Sequence, residues 1–127
     1  MTSPPEQPRF FFRKENRVLR RADFVETYAK GVRIRFGLGQ LFIMPRPDPA
    51  LPTRLGITVT RKVGGAVVRN RLKRLTRESF RLALPSMAPG RTVIVTWFKS
   101  AAEADSQTAR ESLEKAWHKA GLRNPLP

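Results

Sequence analysis

Val68, Leu72, Leu75, Ser79 and Leu82 step by three or four residues and mark the inward stripe of one long amphipathic helix, which has to end before Pro85. A helix with one apolar stripe needs a second layer to cover it. The chain supplies one at once: Thr92 to Phe98 is a nearly continuous apolar and β-branched run, the pattern of a strand covered on both faces and internal to a sheet.

The remaining elements fit around that pair. Ala22, Val25 and Ala29 recur at helical spacing, and Gly31 follows where a left-handed cap would sit, which predicts a short helix over 22–30. Val32 to Arg35, Leu38 to Met44 and Leu55 to Thr60 read as strands. The last two are separated by Pro45, Pro47, Pro49 and Pro52, which favour a turn. Ser106 is the expected N-cap of a last helix in which Ala109, Leu113, Ala116, Trp117 and Ala120 face inward and Gly121 provides the stop. The 127 residues suit one domain. Its expected limits are 13–123, with an N-terminal tail over 1–12 that carries Pro4, Pro5 and Pro8, and a short C-terminal tail over 124–127.

Charge narrows the function. Against 25 Lys and Arg stand 10 Asp and Glu, a formal net charge of +15, so the expected partner is a polyanion. No apolar run is long enough to cross a bilayer, and neither a long amphipathic surface helix nor a lipidation signal favours a membrane. Absent cysteine excludes disulfides and thiolate metal sites, and with no signal-peptide core in sight the expected compartment is the cytoplasm. The excess is concentrated: residues 61–81 hold eight Lys and Arg against one acidic residue. At 100° per residue, Arg69, Asn70, Lys73, Arg74, Arg77 and Arg81 share the side of the helix away from its apolar stripe, with Arg71 near the edge. Ordinary solvated helix faces alternate signs. Here Arg69, Lys73 and Arg77 repel one another at i, i+4 spacing, which an anionic partner would relieve.

The loop Thr60-Arg-Lys-Val-Gly-Gly65 brings Arg61, Lys62 and free amides to the start of that helix. It reads equally as a phosphate site or as a plain strand-to-helix turn. Phe24, Tyr28 and Phe42 offer either a stacking surface for unpaired bases or ordinary core packing, and spacing alone favours the core. No constellation for catalysis is present. His118 is the sole histidine, and the acidic residues are scattered rather than paired. From the residues themselves the reading stops at an RNA- or DNA-binding α/β domain.

The stretch Thr60-Arg-Lys-Val-Gly-Gly-Ala-Val-Val-Arg-Asn-Arg-Leu-Lys-Arg-Leu-Thr-Arg-Glu-Ser-Phe-Arg81, centred on Arg69-Asn70-Arg71, closely resembles the signature of the bacterial ribonuclease P protein. The similarity continues through Leu55-Gly-Ile-Thr-Val59, Lys14-Glu-Asn-Arg-Val18, Asp23-Phe24 and Tyr28-Ala-Lys-Gly31. Arg13 and the proline-rich linker over 45–52 depart from the family pattern locally.

The resemblance implies an α+β two-layer sandwich in αβββαβα order, with a four-stranded mixed sheet and a left-handed β-α-β crossover, similar to a ribosomal protein domain. It implies a non-catalytic protein subunit of an RNA-based endonuclease that removes the 5′ leader of precursor tRNA. Catalysis and its magnesium requirement would belong to the RNA subunit, with no cofactor held by the protein and one protein bound per RNA. Carried over by position, Arg61, Lys62, Arg69, Asn70, Arg71, Lys73, Arg74 and Arg77 would meet RNA. Phe24, Tyr28 and Phe42 would line a cleft for the leader, which reverses the preference for core packing. Two rival readings are a ribosomal-type structural RNA binder, which needs no leader cleft, and a nonspecific DNA binder dominated by phosphate neutralisation.

Overall fold

The computed structural model describes residues 16–122. The expected tails over 1–12 and 124–127, together with Arg13, lie outside them. In chain order the elements are α1 (Arg21–Lys30), β1 (Val32–Phe36), β2 (Gly39–Pro45), β3 (Arg54–Thr58), α2 (Ala66–Ala83), β4 (Arg91–Trp97) and α3 (Ser106–Lys119), with short 3-10 turns after α2 and after β4. This is the αβββαβα order. One mixed sheet runs β1-β2-β4-β3, antiparallel except for the β3–β4 pair, which is parallel and joined through α2. β4 is internal, as its unbroken apolar run requires.

Alternation along the strands gives the sheet two unlike faces. Leu41, Leu55, Val93, Val95 and Trp97 point into the main core with Leu72, Leu75 and Phe80 of α2 and Ala109, Leu113 and Trp117 of α3. Each fully buried large side chain there contributes about 1.5–3 kcal/mol by leaving water. Two polar residues on the buried side of α2 serve the tryptophans. Trp97 Nε1 donates to Thr76 Oγ1 at 2.9 Å, and Trp117 Nε1 donates to Ser79 Oγ at 3.0 Å. Thr76 Oγ1 in turn donates to the Leu72 carbonyl. The orientation of α2 is therefore fixed by directional bonds as well as by apolar contact.

The opposite face carries a row Phe42–Ile94–Gly56 across β2, β4 and β3, with Gln40–Thr96–Thr58 in the next row. α1 lies across this second face, and its N-terminal half is tied to β3 by the Arg54–Asp23 ion pair at 3.3 Å.

Four local expectations are corrected. The side of α1 that meets the sheet is Phe24, Thr27 and Tyr28, not Ala22, Val25 and Ala29, which are exposed. Both sets satisfy helical spacing, and the aromatic set wins because it has partners on the sheet. Gly31 is extended, at φ −73°, rather than left-handed; its reason is close approach, since a Cβ would stand 2.6 Å from the Thr27 carbonyl oxygen. Leu82 is half exposed, and Phe80 takes the buried place at that end of α2. The N-cap of α3 is Asp105, whose carboxylate accepts from the Thr108 amide at 2.7 Å, with Ser106 one residue inside the helix. Gly121 does stop α3, at φ +71°.

Candidate nucleic-acid interface

The start of α2 follows from its loop. Val63 is buried and anchors the turn through its amide, which donates to the Thr60 carbonyl, while Arg61 and Lys62 stay exposed. Gly65 caps the helix with no side-chain bond, and the first turn holds no acidic residue. The positive end of the helix dipole and two cations thus face outward together. A Cβ at Gly65 would meet nothing within 4 Å, so packing does not demand glycine there.

Further along α2, Asn70, Arg74 and Arg77 are exposed, and Arg69 and Lys73 are half-buried on the outward side. Arg69 Nε donates to the Gly64 carbonyl at 3.1 Å, which ties the cationic face to the loop before it. Arg81 pairs with Glu78. Arg71 turns away from the others: its guanidinium reaches Ser106 Oγ at 3.2 Å and the Ala104 carbonyl at 3.1 Å, at the beginning of α3. Of the eight cationic and amide positions singled out from the sequence, seven share the outward side of the loop and helix, and Arg71 does not.

The three aromatics meet on the second face of the sheet, outside the main core. Phe24 and Tyr28 have ring centroids 6.5 Å apart, and Tyr28 stands edge-on to Phe42 at 4.8 Å and 86°. Tyr28 Oη shares hydrogen bonds with Thr58 Oγ1 at 2.5 Å and Thr96 Oγ1 at 3.4 Å, so both ends of the side chain are held while 36% of the residue remains exposed. Phe24 lies against β3 because position 56 is glycine: a Cβ there would come within 2.8 Å of its ring.

Spacing missed Arg17, Leu19 and Gly56, which join these two surfaces. Arg17, Leu19, Phe24, Gly56, Lys73 and Arg77 line one depression of about 350 Å³ along the β3 edge, leading from Phe24, the aromatic nearest that edge, to two cations of α2. Arg17 reaches β3 through a parallel bridge to Leu55, a pairing no local pattern announces. Among the described residues no group of three or more His, Cys, Asp or Glu is placed to hold a metal ion, and His118 is exposed at the end of α3. No helix among them is long and apolar enough to cross a membrane.

The family model for ribonuclease P matches residues 12–121. The chain belongs to the ribonuclease P protein family. Among curated relatives it is 38% identical over 106 residues to the ribonuclease P protein component of Desulfovibrio desulfuricans, covering 84% of this chain and 82% of that one. It is 36% identical over 115 residues to that of Dictyoglomus turgidum, covering 89% and 95%. Among solved structures, the RNase P protein of Staphylococcus aureus superposes with a TM-score of 0.79 at 28% identity, covering 86% of this chain and 98% of that one. That of Thermotoga maritima gives 0.72 at 29%, covering 81% and 96%.

As a ribonuclease P protein, the chain is the RNA-binding, non-catalytic subunit of an RNA-based endoribonuclease of tRNA processing, and its partner is the ribonuclease P RNA. The ribosomal and DNA-binding readings fall away.

Proposed function

We propose that the outward side of α2 and its preceding loop hold the ribonuclease P RNA, while the cleft between α1 and the sheet receives the single-stranded 5′ leader of precursor tRNA, with one protein per RNA. Arg61, Lys62, Arg69, Asn70, Lys73, Arg74 and Arg77 are the RNA contacts; Phe24, Tyr28 and Phe42 stack leader bases. The observation that carries this reading is the continuous depression from Phe24 and Gly56 to Lys73 and Arg77. It puts Phe24, which adjoins Tyr28, and phosphate-neutralising cations on one path, which suits a strand passing from one RNA to another.

The chemistry asked of the protein is positional. Every base has a π face, so stacking at about 1–3 kcal/mol per base retains a leader without demanding its sequence. Tyr28 is preset for this by its bonds to Thr58 and Thr96. The cations lower the repulsion between catalytic RNA and substrate, two polyanions that magnesium would otherwise have to screen. Magnesium prefers oxygen ligands, which RNA phosphates supply, and the proposal places the metal requirement on the RNA subunit.

The test is cleavage of a precursor tRNA at low magnesium by a bacterial ribonuclease P RNA, with and without the protein, beside protein alone. Leader release that needs the RNA and is stimulated by the protein is the expected result. A second arm compares precursor with mature tRNA. Equal stimulation of binding to both would overturn the leader cleft.

A further inference from the structure

Arg69 spends only its Nε on protein, at the Gly64 carbonyl, whereas Arg71 spends both terminal guanidinium nitrogens on the segment that leads into α3. Besides Ser106 Oγ and the Ala104 carbonyl, its guanidinium lies 3.5 Å from the Ala102 carbonyl oxygen, so three acceptors at the entry to α3 converge on one side chain of α2. This strut fixes the separation of the two helices where they flank a groove of about 660 Å³. The groove is separate from the β3-edge depression and opens on the other flank of α2.

Its lining is unlike a protein core. Asn70 and Arg74 stand exposed on the α2 wall, and Arg110 stands exposed on the α3 wall, one residue past the buried Ala109. The carboxylate that lines it, Glu78, is paired with Arg81. Val67, at 82% exposure, gives the groove an apolar shoulder among these cations. Among the described residues Arg110 has no carboxylate within ion-pair distance. Unneutralised guanidinium groups on two walls, with an aliphatic shoulder at the start of the α2 wall, suit a ribose-phosphate strand: the phosphates meet arginine, and the sugar or base edge meets valine.

From this we infer that the α2–α3 groove is a second row of contact with the ribonuclease P RNA, that Arg110 is an RNA-binding residue of α3, and that Arg71 is a positioning residue rather than a phosphate ligand. The inference rests on the proposed function in taking the α2 face as the side of the RNA subunit. It adds a helix to that side and removes one motif arginine from direct contact.

The experiment measures affinity of the full-length protein for ribonuclease P RNA across a potassium chloride series, for wild type, Arg74→Ala, Arg110→Ala, Arg71→Ala and Arg71→Lys, with thermal melts of each. Arg74→Ala and Arg110→Ala should each weaken binding several-fold and reduce the slope of log affinity against log salt by about 0.9, the signature of one lost phosphate contact. Both should melt like wild type. Arg71→Ala should lower the melting temperature while leaving the salt slope of the folded protein unchanged, with Arg71→Lys intermediate in melting. If Arg74→Ala weakens binding and Arg110→Ala does not, the groove inference fails and the α2 interface stands. If neither changes affinity or slope, the RNA-facing assignment of α2 falls, and this inference with it. A full unit of slope lost in Arg71→Ala would overturn its role as a strut. Self-association of the free protein that Arg110→Ala abolishes, with RNA affinity intact, would assign the groove to a second copy instead.

Discussion

Gly56→Ala probes the leader cleft without removing any group proposed to touch RNA. The added methyl carbon would lie 2.8 and 2.9 Å from two ring atoms of Phe24 and 3.3 Å from Ile94 Cγ1. Comfortable carbon–carbon contact is about 3.5–4.0 Å, so the ring has to retreat by roughly 0.6–1.2 Å. Ile94 is fully buried in the central strand and cannot yield. The strain falls on Phe24 and α1, at about 1–3 kcal/mol for overpacking of this kind. Moving Phe24 off the strand also breaks its alignment with Tyr28. Losing one stacked base, about 1–3 kcal/mol, weakens precursor tRNA binding by roughly 5- to 150-fold at 1.4 kcal/mol per decade.

The assay is the ratio of dissociation constants for precursor and mature tRNA on the reconstituted holoenzyme, alongside affinity for the RNA subunit and a thermal melt. The ratio should collapse towards one while RNA-subunit affinity holds. Adding Phe24→Ala should restore the melting temperature by relieving the clash, but not the ratio, a non-additive pattern expected of touching residues. Full leader discrimination in a destabilised Gly56→Ala protein would refute the idea that Phe24 serves as a leader platform.

Three other outcomes are expected. Lys73→Ala combined with Arg77→Ala should lower the salt slope of RNA binding by about 1.8, two contacts' worth, measured by filter binding; an unchanged slope would remove the β3-edge depression from the RNA path. Ser79→Ala leaves the Trp117 indole N–H buried without its acceptor and should cost about 1–3 kcal/mol in urea unfolding, with RNA affinity per folded molecule preserved. The Asp105 carboxyl is held below its ordinary value, chiefly by the backbone hydrogen bond from Thr108. Its contribution to stability is therefore present above the unfolded-state value and disappears as pH falls through the folded-state one. Asp105→Asn should flatten the acid limb of the unfolding midpoint; the same acid limb in both proteins would contradict the cap.

What could be read locally was read from periodicity. The α2 stripe, the internal strand and the α3 stripe each rest on repeats that hold wherever the element packs, so Leu72, Leu75, Leu113 and Trp117 were legible as core. α1 was not legible in this way, because Ala22, Val25 and Ala29 form as good a helical stripe as Phe24, Thr27 and Tyr28. The choice between them belongs to Gly56, Phe42, Thr58 and Thr96, which lie 14 to 68 positions along the chain from the α1 residues they touch. Leu82 and Phe80 were exchanged for a similar reason: a stripe stepping by three or four leaves the edge of the arc open, and Trp117 of α3 settles it by meeting Phe80 at 6.0 Å.

By itself the sequence determined the order of elements, the sign and concentration of charge on one helix, and the motif that identifies the family. These follow from side-chain chemistry and from local repeats, which need no partner. Only the tertiary structure decided that the aromatics stand outside the core, that Arg71 faces α3, and that the cations of α2 adjoin the cleft of α1. The last follows from parallel pairing of β3 with β4 around α2, and the other two from the packing of α1 on the sheet and of α2 on α3, contacts that no local pattern announces.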